Sequence, residues 1–280
     1  MCRQRLQTWK LFAVLALGAM NGFCLTGEVC AQEANASQPV AKSSQPAKSR
    51  YEDRRGLDPN GIDRWYHGRQ IAQVMGHLGA GWLERPERET EEQPNKLIKA
   101  LRLKGNEVIA DIGAGSGYFT FRFAPKVPKG KVLAVEIQLE MLDILKERKS
   151  VLKIDNVDLI LGTESDPKLG SAVDLVVMVD VYHEFNQPFE MVESMVKSLK
   201  PGGRIAFIEY RMEDPAVPIK TVHKMSEKQL RREMKDHPLL EHDETIETLP
   251  WQHIILFKKK AVTPGGPNST KEAPAKSERP

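Results

Sequence analysis

Asp111-Ile112-Gly113-Ala114-Gly115-Ser116-Gly117 sets three glycines at alternate positions behind a carboxylate. The apolar run Val108-Ile109-Ala110 precedes them, so the glycines read as the turn between a buried strand and a helix. Such a turn offers backbone N–H groups and a helix N-terminus to a ligand. A dinucleotide turn asks for G-x-G-x-x-G, and here the last place is Tyr118; no Gly-Lys-Ser/Thr follows, which excludes a P-loop. A carboxylate in front of the turn suits a cationic ligand group and repels a pyrophosphate. A second constellation is Asp180-Val181-Tyr182-His183-Glu184, delivered at the end of a nearly continuous apolar run. A neutral His or a carboxylate there can take a proton. His183 is therefore the candidate base or acceptor-positioning group, with Tyr182 or Glu184 beside it; its alternative is to cap a local turn. His253 is a secondary candidate. Glu209 and Tyr210 could line the same pocket, and Tyr118 could flank the ligand or pack on the first helix. His67, His77, His223, His237 and His242 show no close metal-ligand spacing, and no metal is assigned; His183, Glu184 and His223 are the one conceivable set.

These residues need a parallel sheet to bring them to one edge. Strands are expected at 107–111, 131–135, 157–161, 173–179 and 204–208, separated by helices at 117–125, 138–149 and 188–199. The ends of these strands carry Glu136, the pair Thr163 and Glu164, Asp180, and Glu209. Lys200-Pro201-Gly202-Gly203 reads as a stop and turn. Ser226 and Gln229 form a capping box for a helix over 227–235. Strands at 245–249 and 252–258, separated only by Pro250-Trp251, read as a closing hairpin. The segment 51–94 reads as an N-terminal helical lid or collar. Ile71, Val74, Met75 and Leu78 are spaced to share a helix face, and Trp65 and Tyr66 are placed to dock it. The charge run 82–92 reads as a solvated helix face with i,i+4 pairs, or as a substrate-facing site for Arg85 or Arg88.

The motif from Asp111 to Gly117 resembles the first motif of class I S-adenosylmethionine-dependent methyltransferases. The resemblance continues with Glu136, with Val173-Asp174-Leu175-Val176 running to Asp180, and with Leu199-Lys200-Pro201-Gly202-Gly203-Arg204. It covers about residues 95–258 of a domain expected over 95–260. It implies a Rossmann-like three-layer α/β sandwich, with a seven-stranded, mostly parallel sheet in order 3-2-1-4-5-7-6 and an antiparallel last strand. It implies S-adenosyl-L-methionine as cofactor. Asp111 and the backbone of Gly113, Ala114, Gly115, Ser116 and Gly117 would hold its methionine end, with Tyr118 alongside. Glu136 would accept from the ribose hydroxyls, and Asp180 would lie near the methionine part. Thr163 stands where the family often has an acidic residue near the adenine, with Glu164 further on. The implied activity is in-line methyl transfer to an acceptor that is a small molecule, a lipid or quinone-like compound, or a protein. The alternatives are a non-catalytic module that binds S-adenosylmethionine or a related nucleoside metabolite and, further off, an NAD-dependent oxidoreductase.

The 41 basic and 38 acidic residues leave a net charge of +3, too small and too dispersed for a nucleic-acid partner to be expected. Residues 1–31 read as a secretory signal peptide. Arg3, Arg5 and Lys10 precede an apolar stretch, and Val29 and Ala31 flank Cys30 at a cleavage site. This points to a periplasmic or secreted location; an uncleaved N-terminal membrane anchor is the alternative, and through it the only expected membrane contact. All three cysteines lie in this segment, so a chain cleaved after residue 31 has no thiol chemistry. Residues 32–50 and 261–280 read as a disordered linker and tail. The sequence leaves the oligomeric state open.

Overall fold

A computed structural model describes residues 49–170 and 172–261. The expected signal peptide at 1–31, and the expected linker and tail at residues 32–48 and 262–280, lie outside the described residues. Among the described residues no helix is long and apolar enough to cross a membrane.

The main sheet is built from β4 (Val108–Ile112), β5 (Lys131–Glu136), β6 (Val157–Leu161), β7 (Val173–Val179), β8 (Leu199–Arg211), β10 (Leu240–Ile246) and β11 (Gln252–Lys259), after the short strands β1 (Tyr51–Asp53), β2 (Gly61–Tyr66) and β3 (Arg69–Ala72). Its order is β6-β5-β4-β7-β8-β11-β10, and β11 runs antiparallel to both neighbours. A two-residue strand, β9 (Lys224–Met225), pairs parallel with the end of β8. This is the expected Rossmann-like sandwich with its reversed last strand.

The central strands alternate between two cores, as strand periodicity demands. Ile109, Leu175, Val177, Ala206 and Ile208 face one. Ala110, Val176, Met178, Ile205 and Phe207 face the other. Burial on both faces is why these strands read as unbroken apolar runs. On the first face α3 (Pro94–Ala100) supplies Leu97 and Ile98, α4 (Thr120–Phe123) supplies Phe121 and Phe123, and α5 (Leu139–Leu152) supplies Leu145. On the second face α6 (Pro188–Ser198) supplies Met191, Val192, Met195 and Val196, and α7 (Glu227–Glu233) supplies Leu230.

Two parts depart from expectation. The segment 51–72 is a three-stranded antiparallel meander. His67 and Gly68 take φ of +48° and +82° between Tyr66 and Arg69, which pair across the turn. Positive φ at both central residues is the two-residue hairpin geometry that matches strand twist. The supposed helix face does not exist: Ile71 is buried in β3, while Val74 and Leu78 are exposed. Only single turns, α1 (Ala80–Leu83) and α2 (Arg88–Glu91), follow it.

The second departure is in the strand ends. β8 begins at Leu199, absorbing Pro201-Gly202 in a register shift against β7. β10 ends at Ile246, so five residues, not two, join it to β11. Ser226 does cap α7 by accepting from Gln229 N, but the Gln229 side chain donates to His67 O and Glu233 instead of returning to Ser226.

Candidate active site

Register brings Ile112, Val135 and Met178 level at one sheet edge, with Glu136 and Asp180 just beyond. A cavity of about 610 Å³ opens there, at the C-terminal ends of the parallel strands, where open α/β sheets take ligands. Gly113, Gly115, Glu136, Thr163, Glu164, Asp180, His183 and Glu184 all line it.

The glycine turn forms one end. Gly113 and Gly115 take φ of +69° and +53°. A Cβ on Gly113 would stand 2.4 Å from Val181 Cγ2, and one on Gly115 would stand 2.7 Å from Leu83 Cδ1, so these two positions have no room for a side chain. Glu136 closes the turn from β5. Its Oε2 accepts from Gly115 N at 2.9 Å, and its Oε1 accepts from Ile137 N and Gln138 N.

Asp111, Ala114, Ser116, Gly117 and Tyr118 sit close by but do not line the cavity. Asp111 lies behind the turn and accepts from Thr120 Oγ1 at 2.5 Å. Burial, helped by the charge on Glu136, raises its carboxyl to about 6. Ser116 donates to Glu84 and Tyr118 to Glu89; these two tie α1 and α2 to the turn. The charge run is accordingly not a solvated face. Arg88 and Glu92 do make an i,i+4 pair at 2.7 Å, but both are buried, and Arg88 also lines the cavity.

Asp180 occupies the middle. Its φ of +53° breaks the strand alternation, a conformation that Asp tolerates better than most residues. The turn aims Oδ2 at Gln252 Nε2, 2.6 Å away on β11. The other oxygen, Oδ1, is buried without any partner. Burial first, then Glu92 and Glu209, push this carboxyl well above the usual range, against the pull of Arg88. A buried carboxylate oxygen with no donor, in a wall rich in acidic groups, fits a cationic ligand group.

The far end is built from side chains. The turn at Tyr182–Glu184 follows β7, and Glu209 on β8 holds it with both oxygens: Oε1 accepts from Tyr182 N at 2.9 Å and Oε2 pairs with His183 Nδ1 at 2.6 Å. β9 sets Lys224 opposite Tyr210, which carries His223 to the same place. His183 Nε2 and His223 Nδ1 are 3.1 Å apart, and Glu184 Oε1 is 3.9 Å from each. Burial opposes charge on His183, but Glu209 outweighs it and raises the imidazole. Burial and then His183 lower His223 to about 4. Burial raises Glu184 to about 7.

Tyr182 and His253, placed among the candidates by sequence, do not line the cavity. Tyr182 is fully buried in the core and donates to Glu233. His253 is buried opposite Glu209 in the β8–β11 register. Glu209 does not line the cavity either; it supports the wall, while Tyr210 belongs to it. Arg69 and Glu233 carry no sequence signal of their place. Arg69 pairs doubly with the buried Glu233, at 2.9 and 3.1 Å, and donates to His183 O at 3.0 Å. The meander thereby fixes the backbone of the histidine turn.

Residues 110–205 match a family model described as a methyltransferase domain. Among curated proteins, a tRNA U34 carboxymethyltransferase of Desulfotalea psychrophila is 30% identical over 117 residues, 41% of this chain and 36% of that protein. A malonyl-[acyl-carrier protein] O-methyltransferase of Priestia megaterium is 29% identical over 99 residues, 35% of each. The chain thus spans about a third of the length of these two relatives. A solved S-adenosylmethionine-dependent methyltransferase of Aquifex aeolicus superposes over 66% of this chain and all of its own, with a TM-score of 0.62 at 23% identity. The family model thus covers about a third of the chain, and the superposition shows a shared Rossmann-like α/β fold.

Proposed function

We propose that this chain is a class I S-adenosylmethionine-dependent methyltransferase that transfers a methyl group from S-adenosyl-L-methionine to a small, largely apolar acceptor. The observation that carries the reading is one cavity running from the glycine turn and Glu136, past Asp180, to His183 and Glu184. Glu136 and Thr163 would hold the nucleoside end, and the glycine backbone with Asp180 the charged amino-acid end. The unpartnered Asp180 Oδ1 and the side-chain-free turn are the features that fit this ligand. Bound there, S-adenosylmethionine supplies a methyl carbon already activated by a sulfonium.

The chain's own work is then alignment, exclusion of water and handling of the acceptor's proton. Met75, Trp82 and Leu83 from the N-terminal segment, with Phe185 and Ile219, give the acceptor end apolar walls. Such walls suit a lipid-like or quinone-like compound more than a polar polymer. The acceptor's nucleophilic atom is received by His183 and Glu184, His183 being fixed in orientation by Glu209. Asp111 supports the turn from behind and Tyr182 supports the core; neither touches the ligands in this reading.

The test is transfer of labelled methyl from S-adenosylmethionine into fractions of a cell extract. We expect label in the lipid or small-molecule fraction. Label in RNA or protein would overturn the acceptor class. Donor binding without label in any fraction would leave a metabolite-binding module. The reading of residues 1–31 as an export signal stays a proposal of its own, tested by a reporter fused after residue 50 that should be active only outside the cytoplasm.

A further inference from the structure

The cavity wall holds a group of side chains that proton transfer alone leaves unexplained. His183 Nε2, His223 Nδ1 and Glu184 Oε1 converge, 3.1, 3.9 and 3.9 Å apart. A point about 2.1 Å from all three exists, the distance at which imidazole nitrogen and carboxylate oxygen bind first-row divalent ions. We propose that His183, His223 and Glu184 form a binding site for one borderline divalent transition-metal ion of the zinc class.

Each ligand is prepared for this use by something else in the fold. Glu209 Oε2, a carboxylate oxygen, accepts a hydrogen bond from His183 Nδ1–H, 2.6 Å away. In the neutral ring that leaves the Nε2 lone pair facing the cluster. A carboxylate behind a ligating histidine is the usual device that fixes tautomer and raises basicity at metal sites. Arg69 anchors the His183 carbonyl, and pairing of β9 with β8 anchors His223. Glu184 lies in the same turn as His183, and Glu209 holds that turn by accepting from Tyr182 N. Nitrogen-rich donors with a single carboxylate favour zinc-class ions over magnesium or calcium, which prefer oxygen sets.

Three protein ligands on a cavity wall leave a further coordination position open to that cavity. This is the arrangement of catalytic sites, whereas structural sites are closed. Its use rests on the methyl-transfer reading: the open position would take the oxygen or sulfur of a hydroxyl or thiol acceptor and favour its deprotonated, nucleophilic form. Binding of the ion does not depend on that reading.

The test titrates chelator-stripped full-length chain with Zn²⁺ alone, measuring bound metal by elemental analysis and affinity by competition with a chromogenic chelator. Co²⁺ serves as the spectroscopic probe. Variants with Cys2, Cys24 and Cys30 changed to Ser remove any thiolate contribution. We expect one Zn²⁺ per chain in the Cys-free variant, undisturbed by excess Mg²⁺, and a Co²⁺ spectrum of nitrogen and oxygen ligands. His223→Ala and Glu184→Gln, checked for native circular dichroism, should each lose stoichiometric binding. Glu209→Gln should keep the stoichiometry with affinity about 10–100-fold lower. No bound ion in the Cys-free chain, or unchanged affinity in both His223→Ala and Glu184→Gln, overturns the site. S-adenosylmethionine binding is measured on the same samples. Donor binding without Zn²⁺ removes only the metal site and leaves His183 as a base; Zn²⁺ binding without the donor keeps the site and removes the methyl-transfer reading.

Discussion

The two ends of the cavity are made in different ways. The glycine end is local. Asp111 to Gly117 is one unbroken stretch, and Glu136, the next strand's last residue, satisfies it through backbone N–H groups. The histidine end is assembled from distant pieces: His183 and Glu184 after β7, Glu209 on β8, His223 before β9, and Arg69 and Glu233 from the meander and α7. A backbone-built site tolerates little change in residue size, while a side-chain-built site depends on buried charges being paired. The lesson is that one end should fail by losing its ligand and the other by losing its framework.

The largest expected effect tests the framework. Arg69→Ala leaves Glu233, which is fully buried, without its cation. Breaking such a pair costs about 3–5 kcal/mol, so urea denaturation should show a loss of that size. A loss under about 1 kcal/mol would mean that the histidine end stands without the meander.

Glu136→Ala comes next and should reverse the pattern. It removes the acceptor for three backbone N–H groups and the proposed ribose contact. Donor affinity should fall by about 100-fold, roughly 2.7 kcal/mol, in a binding titration. Unchanged affinity would move the nucleoside elsewhere.

Glu209→Gln should spare donor binding and lower turnover by about 10–100-fold, because only the orientation of His183 is touched. Equal loss of donor affinity would erase the distinction between the two ends.

The last effect concerns Asp111 and is on stability alone. Its folded-state carboxyl is raised to about 6 from an ordinary 3.8. The folded state therefore binds the proton more tightly than the unfolded chain. The stability this group contributes is fully present below about 3.8 and is lost as pH rises through 6. Asp111→Asn keeps an acceptor for Thr120 and removes the ionisation. It should raise stability at pH 7, by at most about 3 kcal/mol for a shift of that size, and flatten the pH 4–6 segment of the stability curve. Stability that falls at pH 7 would contradict the sign.

This division also explains what could be read from sequence. The glycine end was legible because its chemistry is contiguous and the central strands are buried on both faces; β7 begins and ends where its apolar run does. Asp111 was legible as a position but not as a contact, since spacing alone does not say that Thr120 turns it away from the cavity. The meander was missed because Ile71, Val74, Met75 and Leu78 imitate a helical period, while the deciding signal was the two-residue turn at His67-Gly68. The burial of Arg88 with Glu92 was hidden because an i,i+4 pair reads alike on a solvated face and in a core. His223 gave no spacing signal, as its partner lies 40 residues away and is reached only through β9.

The central claim is that the glycine end holds a cationic sulfonium nucleoside and not a dinucleotide. Isothermal titration of the full-length chain with S-adenosylmethionine and, separately, with NAD tests it most directly. One S-adenosylmethionine should bind per chain, with binding abolished or much weakened in Glu136→Ala, and NAD should give no heat. Saturable NAD binding with none of the methyl donor would contradict it.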